Sequence, residues 1–253
     1  MRPNIKDLLS ARQREALGVF VVEGPKLARE IPDGWEILLY ALREGEPDPV
    51  WLRPGVPVAR AGAAKFARLA SAAAPQGVLA VARMRRLSIG DMERAGGPGF
   101  ALALDGVSDP GNVGGLLRTA AAAGAGCALL AGGCAGLYNP KTLRAAAGAA
   151  LSLPVADGLG LARALDFARG GGMPVFAAGA RGGAPPWELD LSGRFCLVLG
   201  NESRGLSALA EAAADRVVTL PMGGRAESLG VAAAGAAIMY EAARQRASAG
   251  RGP

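Results

Sequence analysis

In a chain of 253 residues rich in Ala and Gly, the side chains able to do chemistry gather in three short stretches. The first, DGVSDPGNVGGLLRTAAAAG, holds Asn112 and, six residues on, Arg118. Asn112 stands at the expected start of a helix, where it would serve as an N-cap whatever else it does. Arg118 falls in the second turn, on a helix otherwise built of Gly, Leu, Thr and Ala. An isolated cation amid apolar surface calls for a buried partner or an anionic ligand. The second stretch, LVLGNESRGL, ends a strand at Gly200 and presents Asn201, Glu202, Ser203 and Arg204 before a helix expected at Leu206. That density of polar groups after a buried strand points to a site rather than a plain loop. The third, LPMGGRAESLGVAAAGAAIMYEAARQR, sets Ser228 just ahead of a long helix, as a cap or as a reacting group.

Several chemistries are excluded. The chain has no histidine, which removes Ser-His-Asp and Cys-His catalysis and most catalytic zinc sites. No Gly-Lys dipeptide exists for a P-loop, and Gly97-x-Gly99 and Gly124-x-Gly126 both lack the third glycine of a dinucleotide fingerprint. Cys127, Cys134 and Cys196 form no CxxC pair and read as reduced, buried thiols.

The elements that must position the three stretches are legible as apolar runs. Residues 1–82 open with a charged helix pattern, then GVFVVEG reads as a buried strand feeding a helix at Pro25. WEILLYAL, VPVAR and GVLAVARM repeat the strand signature around the helix-like AAKFARLASAAA, an α/β unit with its own core. RRLSIGDMERAGGPG lacks sustained apolar periodicity, so 83–99 reads as a linker. From residue 100 to 253, FALALDGV, CALLAG, MPVFAAGA, FCLVLGNE and RVVTLPM alternate with Ala-rich helical stretches. Near-continuous apolar strands of this kind belong to a parallel sheet covered on both faces, where ligands collect at the strands' carboxyl ends.

The 28 Lys and Arg against 22 Asp and Glu leave a charge of +6, a bias toward polyanionic partners carried almost entirely by Arg, whose planar fork grips phosphate bidentately. The N-terminal segment lacks the apolar core of a secretion signal, so a cytoplasmic location is expected. The uncharged run from Thr119 to Pro140 carries five glycines and reads as helix end, turn and buried strand, not as a membrane span.

In their order and spacing the three stretches resemble the motifs of the SpoU (TrmH-like) RNA 2′-O-ribose methyltransferases of the SPOUT superfamily. That pattern is roughly N-x-G-x-x-x-R-T-A, then G-x-E-x-x-G-L, then P-M-x(5)-S-L-N-V. NPKTLRAAAGA, from Asn139 to Ala149, looks like a further family segment. FVVEGPKL, from Phe20 to Leu27, resembles part of a ribosomal-protein-like N-terminal RNA-binding domain. The resemblance implies an α/β methyltransferase domain with a deep trefoil knot, preceded by a smaller α/β RNA-binding domain. It implies S-adenosylmethionine bound by backbone at Gly200, Leu220 and Leu229, with Asn201, Met222 and Gly230 as lining. The catalytic or RNA-contacting positions match Asn112, Arg118, Glu202 and Ser228. No metal is implied. A homodimer is expected, with the Gly/Ala-rich helix from Ser228 to Arg246 at a two-fold interface across which the family builds its site.

Arg118 would stabilise the alkoxide developing on a ribose hydroxyl, since free Arg stays protonated far above neutral pH. Asn112 would hold Arg118 or the substrate, and Glu202 would orient the guanidinium or contact the ribose. Two positions depart from the family: its Asn in S-L-N-V is Gly230 here, and a serine that often follows is Ala232. The expected substrate is structured RNA, with 23S ribosomal RNA ahead of transfer RNA because of the N-terminal domain type. A tRNA 2′-O-methyltransferase and an RNA-binding relative of little or no activity are the alternatives, together with an unrelated small-molecule α/β enzyme.

Overall fold

The computed structural model describes residues 10–70, 74–95, 97 and 99–250. Residues 1–9, which open the expected first charged helix, and 71–73, within the helix-like AAKFARLASAAA, lie outside the described residues. The described chain begins with helix α1 (Ala11–Leu17), capped by the Ser10 hydroxyl, which accepts from the Gln13 N–H. A left-handed Gly18 ends it and turns the chain into β1 (Val19–Glu23). Pro25 then opens α2 (Pro25–Arg29), as its fixed φ and missing N–H favour at a first helical turn. Next come β2 (Ile37–Arg43), β3 (Val58–Ala61), α3 (Ala63–Leu69) and β4 (Val78–Arg83).

These strands form one sheet in the order β1-β4-β2-β3, with β2 and β3 parallel and the other pairs antiparallel. The two-residue alternation of β1 sends Val19 and Val21 against Phe66 of α3. Phe20 and Val22 go into a larger core that also holds Phe100, Leu116 and Leu199.

The 83–99 stretch departs from a plain linker. It contains α4 (Ile89–Ala95), whose start is fixed by a reciprocal pair: the Ser88 hydroxyl accepts from the Asp91 N–H while the Asp91 carboxylate accepts from the Ser88 N–H. The buried Met92 anchors this helix in a cluster with Cys127, Leu165 and Phe167.

Beyond it run β5 (Ala101–Asp105), α5 (Pro110–Ala122), β6 (Cys127–Ala131), α6 (Pro140–Ala146), α7 (Ala149–Ser152), β7 (Val155–Leu159) and α8 (Leu161–Gly170). The chain continues through β8 (Val175–Ala178), β9 (Cys196–Gly200), α9 (Ala208–Ala213), β10 (Arg216–Val218) and α10 (Val231–Ser248). The five expected strands are all present, joined by β7 at one edge. The sheet is parallel throughout, in the order β10-β8-β9-β5-β6-β7. Helices α5, α6, α7 and α10 pack toward one face and α4, α8 and α9 toward the other, which is why β5, β6 and β9 are apolar on both sides. No helix among the described residues is long and apolar enough to cross a membrane.

Candidate functional site

The strand order decides where a site can form. From β5 the chain steps outward to β6 and β7, then crosses to β8 and returns to insert β9 beside β5, so that Asp105 pairs with Gly200. The carboxyl ends of β5 and β9 therefore lie side by side at the point where the winding reverses, the place an open parallel sheet leaves for ligands.

At the end of β5, Asp109 rather than Asn112 caps α5: its carboxylate accepts from the Asn112 N–H at 2.8 Å, and Pro110 occupies the first turn. A Ser-Asp-Pro triplet before a helix is a legible cap signal. Asn112 sits inside the first turn and aims its amide at Glu202 instead, Nδ2 to Oε1 at 3.1 Å. Gly114 is required two residues further on, because a Cβ there would overlap the Thr142 carbonyl and Ala145 of α6. Arg118 does not have the buried partner that was one of its two expected fates. It is exposed and makes no hydrogen bond or ion pair among the described residues.

After β9 the chain folds back on itself. Asn201 and Gly205 exchange backbone hydrogen bonds of 2.8 and 2.9 Å, and a Cβ on Gly200 would overlap the Gly205 carbonyl, so only glycine fits. Asn201 spends its side chain on the loop itself. Its Nδ2 donates to the Gly106 carbonyl at 2.7 Å, and its Oδ1 accepts from the N–H groups of Ser203 and Arg204 at 3.0 Å each.

Glu202 clasps the entry to α5. Its carboxylate accepts from the Ser108 N–H (3.1 Å), the Ser108 hydroxyl (3.2 Å), the Asp109 N–H (3.0 Å) and the Asn112 amide. Burial works against its ionisation. The donors from Asn112, Asp109, its own backbone and Ser108 outweigh that and hold the pKa at about 2. The expected contact between Glu202 and Arg118 is not made; the anion holds the helix N-terminus, where it also meets the positive end of the helix dipole. Ser108 and Asp109 had not been singled out from the sequence.

The third stretch leaves β10 through Thr219, whose hydroxyl donates to the Gly179 carbonyl and accepts from the Gly183 N–H, both at 3.0 Å. From Leu220 to Leu229 the chain has no regular structure, and among the described residues its N–H groups make no backbone hydrogen bond. Helix α10 begins at Val231, not at Ser228, with Gly230 as an N-cap that has no side chain to offer. Ser228 is therefore not a cap and is left exposed on the loop.

The second and third of these segments line a cavity of about 250 Å³. Of the residues expected to hold a cofactor, Gly200, Asn201, Leu220, Met222 and Leu229 line it, and Gly230 does not. Glu202 and Ser228 line it too, as do Ala178, Gly179 and Ala180 at the end of β8, which no sequence signal marked. Asn112 and Arg118 do not border the cavity of their own chain. Among the described residues there is no cluster of three or more His, Cys, Asp or Glu that could hold a metal ion.

The sequence pattern of the SpoU rRNA Methylase family matches residues 99–240, which contain the first two stretches and the third as far as Tyr240. The chain is 31% identical over 236 residues to the 23S rRNA (guanosine(2553)-2′-O)-methyltransferase RlmP of Bacillus subtilis, spanning 93% of this chain and 92% of that protein. It is 38% identical over 160 residues to the 23S rRNA (guanosine-2′-O-)-methyltransferase RlmB of Xanthomonas axonopodis pv. citri, covering 63% of this chain and 64% of that one. In three dimensions it is similar to the SpoU methyltransferase AviRb of Streptomyces viridochromogenes in complex with AdoMet. There the TM-score is 0.85 at 27% identity, over 96% of this chain and 98% of that one. With the family pattern spanning more than half of its length and the second and third motif loops lining one cavity, the chain belongs to the SpoU rRNA methylase family.

Proposed function

We propose that the protein transfers the methyl group of S-adenosylmethionine to a ribose 2′-hydroxyl of 23S ribosomal RNA. The observation that carries this reading is that the β9 and β10 motif loops line one carboxyl-end cavity while Glu202 of the β9 loop ties the β5 motif loop beside it. The cavity suits the cofactor: Leu199, Leu220, Leu229 and Ile238 supply apolar walls for an adenine ring. The loop around Met222 and Ser228 supplies main-chain donors and acceptors that no other backbone group among the described residues takes. S-adenosylmethionine brings a methyl group already activated by its sulfonium charge, so the transfer needs no metal. Arg118 supplies the fixed positive charge that stabilises oxyanion character on the ribose oxygen and holds the neighbouring phosphate. Asn112, Glu202 and Ser228 position the crevice around it, Glu202 by holding the start of α5 in place.

Because Arg118 lies outside its own chain's cavity, the reading includes a homodimer in which a second copy completes the site. Helix α10 returns from the edge strand β10 to pack on α5 and β9, a path that supports the trefoil knot. Residues 1–82 act as the RNA-gripping domain in a cytoplasmic enzyme. A second reading, an RNA-binding relative with little turnover, is favoured by one observation: Gly230 leaves open space where the family carries Asn.

Incubating the protein with methyl-labelled S-adenosylmethionine, chelator and deproteinised 23S ribosomal RNA tests both. Label in a 2′-O-methylated nucleotide supports the first reading, and tight RNA binding without label supports the second. Transfer confined to transfer RNA overturns the ribosomal assignment. A monomer in sedimentation with full activity overturns the shared site.

A further inference from the structure

A second cleft, of about 300 Å³, opens where the two sheets meet, on the β7 edge and away from the cavity beside β9. Trp35 and Arg85 enter it from the segments around the first sheet, Tyr138, Leu151 and Leu153 from the second. Its floor is aromatic and pinned. The buried Phe20 ring lies 4.5 Å from the Tyr138 ring and 5.9 Å, edge-on, from Trp35.

Arg85 is held at the mouth in an unusual way. The Tyr138 hydroxyl accepts from the Arg85 N–H at 2.9 Å and donates to the Arg85 carbonyl at 2.6 Å. The guanidinium then sits 5.4 Å over the Trp35 ring. Its neighbours Arg83 and Arg86 are ion-paired with Glu36 and Glu15, whereas Arg85 has no carboxylate partner among the described residues. An apolar slot with rigid aromatic walls, capped by an exposed cation stacked on an indole, matches a planar heterocycle attached to a phosphate.

We infer that this cleft captures one unstacked nucleobase of the bound RNA, with Arg85 meeting the adjoining phosphate. The inference rests on the RNA substrate proposed above and adds a recognition point remote from the reacting ribose. Stacking on aromatic side chains is sequence-tolerant, so the cleft reads the presence of an extruded base more than its identity.

The test uses the full-length protein and a deproteinised 23S ribosomal RNA transcript carrying 4-thiouridine. Irradiation should cross-link the RNA to Trp35 or Tyr138. Two variants leave the methyl-transfer site untouched. Ser152→Trp fills the mouth from an exposed position whose hydroxyl makes only a 3.4 Å bond to the Gly148 carbonyl, and Arg85→Gln removes the stacked charge. Loss of one stacked base should weaken RNA binding by about fivefold to about a hundredfold, with S-adenosylmethionine affinity unchanged. Undiminished RNA affinity in both variants, or cross-links confined to other peptides, overturns the inference while leaving the proposed activity standing. If Ser152→Trp fails to fold, Arg85→Gln decides alone. If the unaltered protein binds no RNA, the proposed function and this inference fall together.

Discussion

Replacing Glu202 by Gln keeps the shape of the side chain and removes its charge, which makes it the sharpest probe of the loop clasp. Glu202 accepts from five donors, the Asn201 amide among them, and a Gln amide nitrogen turned toward either Ser108 or Asp109 would set donor against donor. The carboxylate titrates at about 2 in the folded chain against a reference value of 4.5. For a fully shielded group that gap corresponds to about 3 kcal/mol of stability. Glu202 is exposed, and solvent screening reduces the figure to about 1 kcal/mol. The depressed folded-state pKa means the contribution is complete above the unfolded-state value and is lost as pH falls toward 2. At pH 7 the variant should melt about 2–4 °C lower than the parent, as about 1 kcal/mol does in a chain of this size. The gap should close between pH 4.5 and 2. Methyl transfer should fall as well, because Asn112 and the start of α5 lose their anchor, and the parent's rate should show no neutral-range ionisation belonging to Glu202. Thermal unfolding followed by circular dichroism across that pH range is the assay. Equal midpoints at pH 7, or a difference that does not change with pH, would refute the clasp.

Arg118→Ala should leave folding and cofactor binding intact, since the side chain is exposed and has no partner among the described residues, while single-turnover methylation falls about 10²- to 10³-fold. A folded, fully active variant counts against the assigned role. Gly230→Asn places a capping side chain at φ −59° with nothing within 4 Å of the new Cβ, so the melting point should rise by the equivalent of a few tenths of a kcal/mol. A drop would mean that the cap is not formed. Gly200→Ala forces a methyl group into the Gly205 carbonyl, an overpacking of about 1–3 kcal/mol, and calorimetry should find S-adenosylmethionine binding lost. Normal affinity would show that the loop can shift without consequence.

Much of this arrangement was legible in advance, and the reasons are physical. Strands such as ALALD and CLVLG are buried on both faces and therefore uninterrupted by polar residues, which separates them from half-exposed segments. The same rule hides β7, an edge strand whose Asp157 and Gly158 break the run. Helix α4 escaped notice because its seven residues carry Gly90, Asp91, Glu93 and Arg94, and one side chain, Met92, anchors it in the core. Local signals also misplaced two caps. Asn112 and Ser228 are good capping types, but Asp109 stands ahead of Pro110, and α10 waits until after Gly230. The clasp itself was out of reach, because Glu202 meets Ser108 and Asn112 only once β9 has been laid beside β5.

That insertion has a consequence for how the chain is made. Strand β5 has β6 on one side and β9 on the other, and β9 comes from residues far later in the sequence. At about 5–20 residues per second, the ribosome needs roughly 5–20 s to carry synthesis from Asp105 to Cys196. Throughout that interval one border of β5, uncharged from Ala101 to Leu104, offers unpaired N–H and C=O groups. A nascent or truncated chain stopping short of Cys196 is thus a template for intermolecular strand addition. Protection of that border by a chaperone, or quick delivery of β9, becomes a condition for yield before any question of catalysis arises.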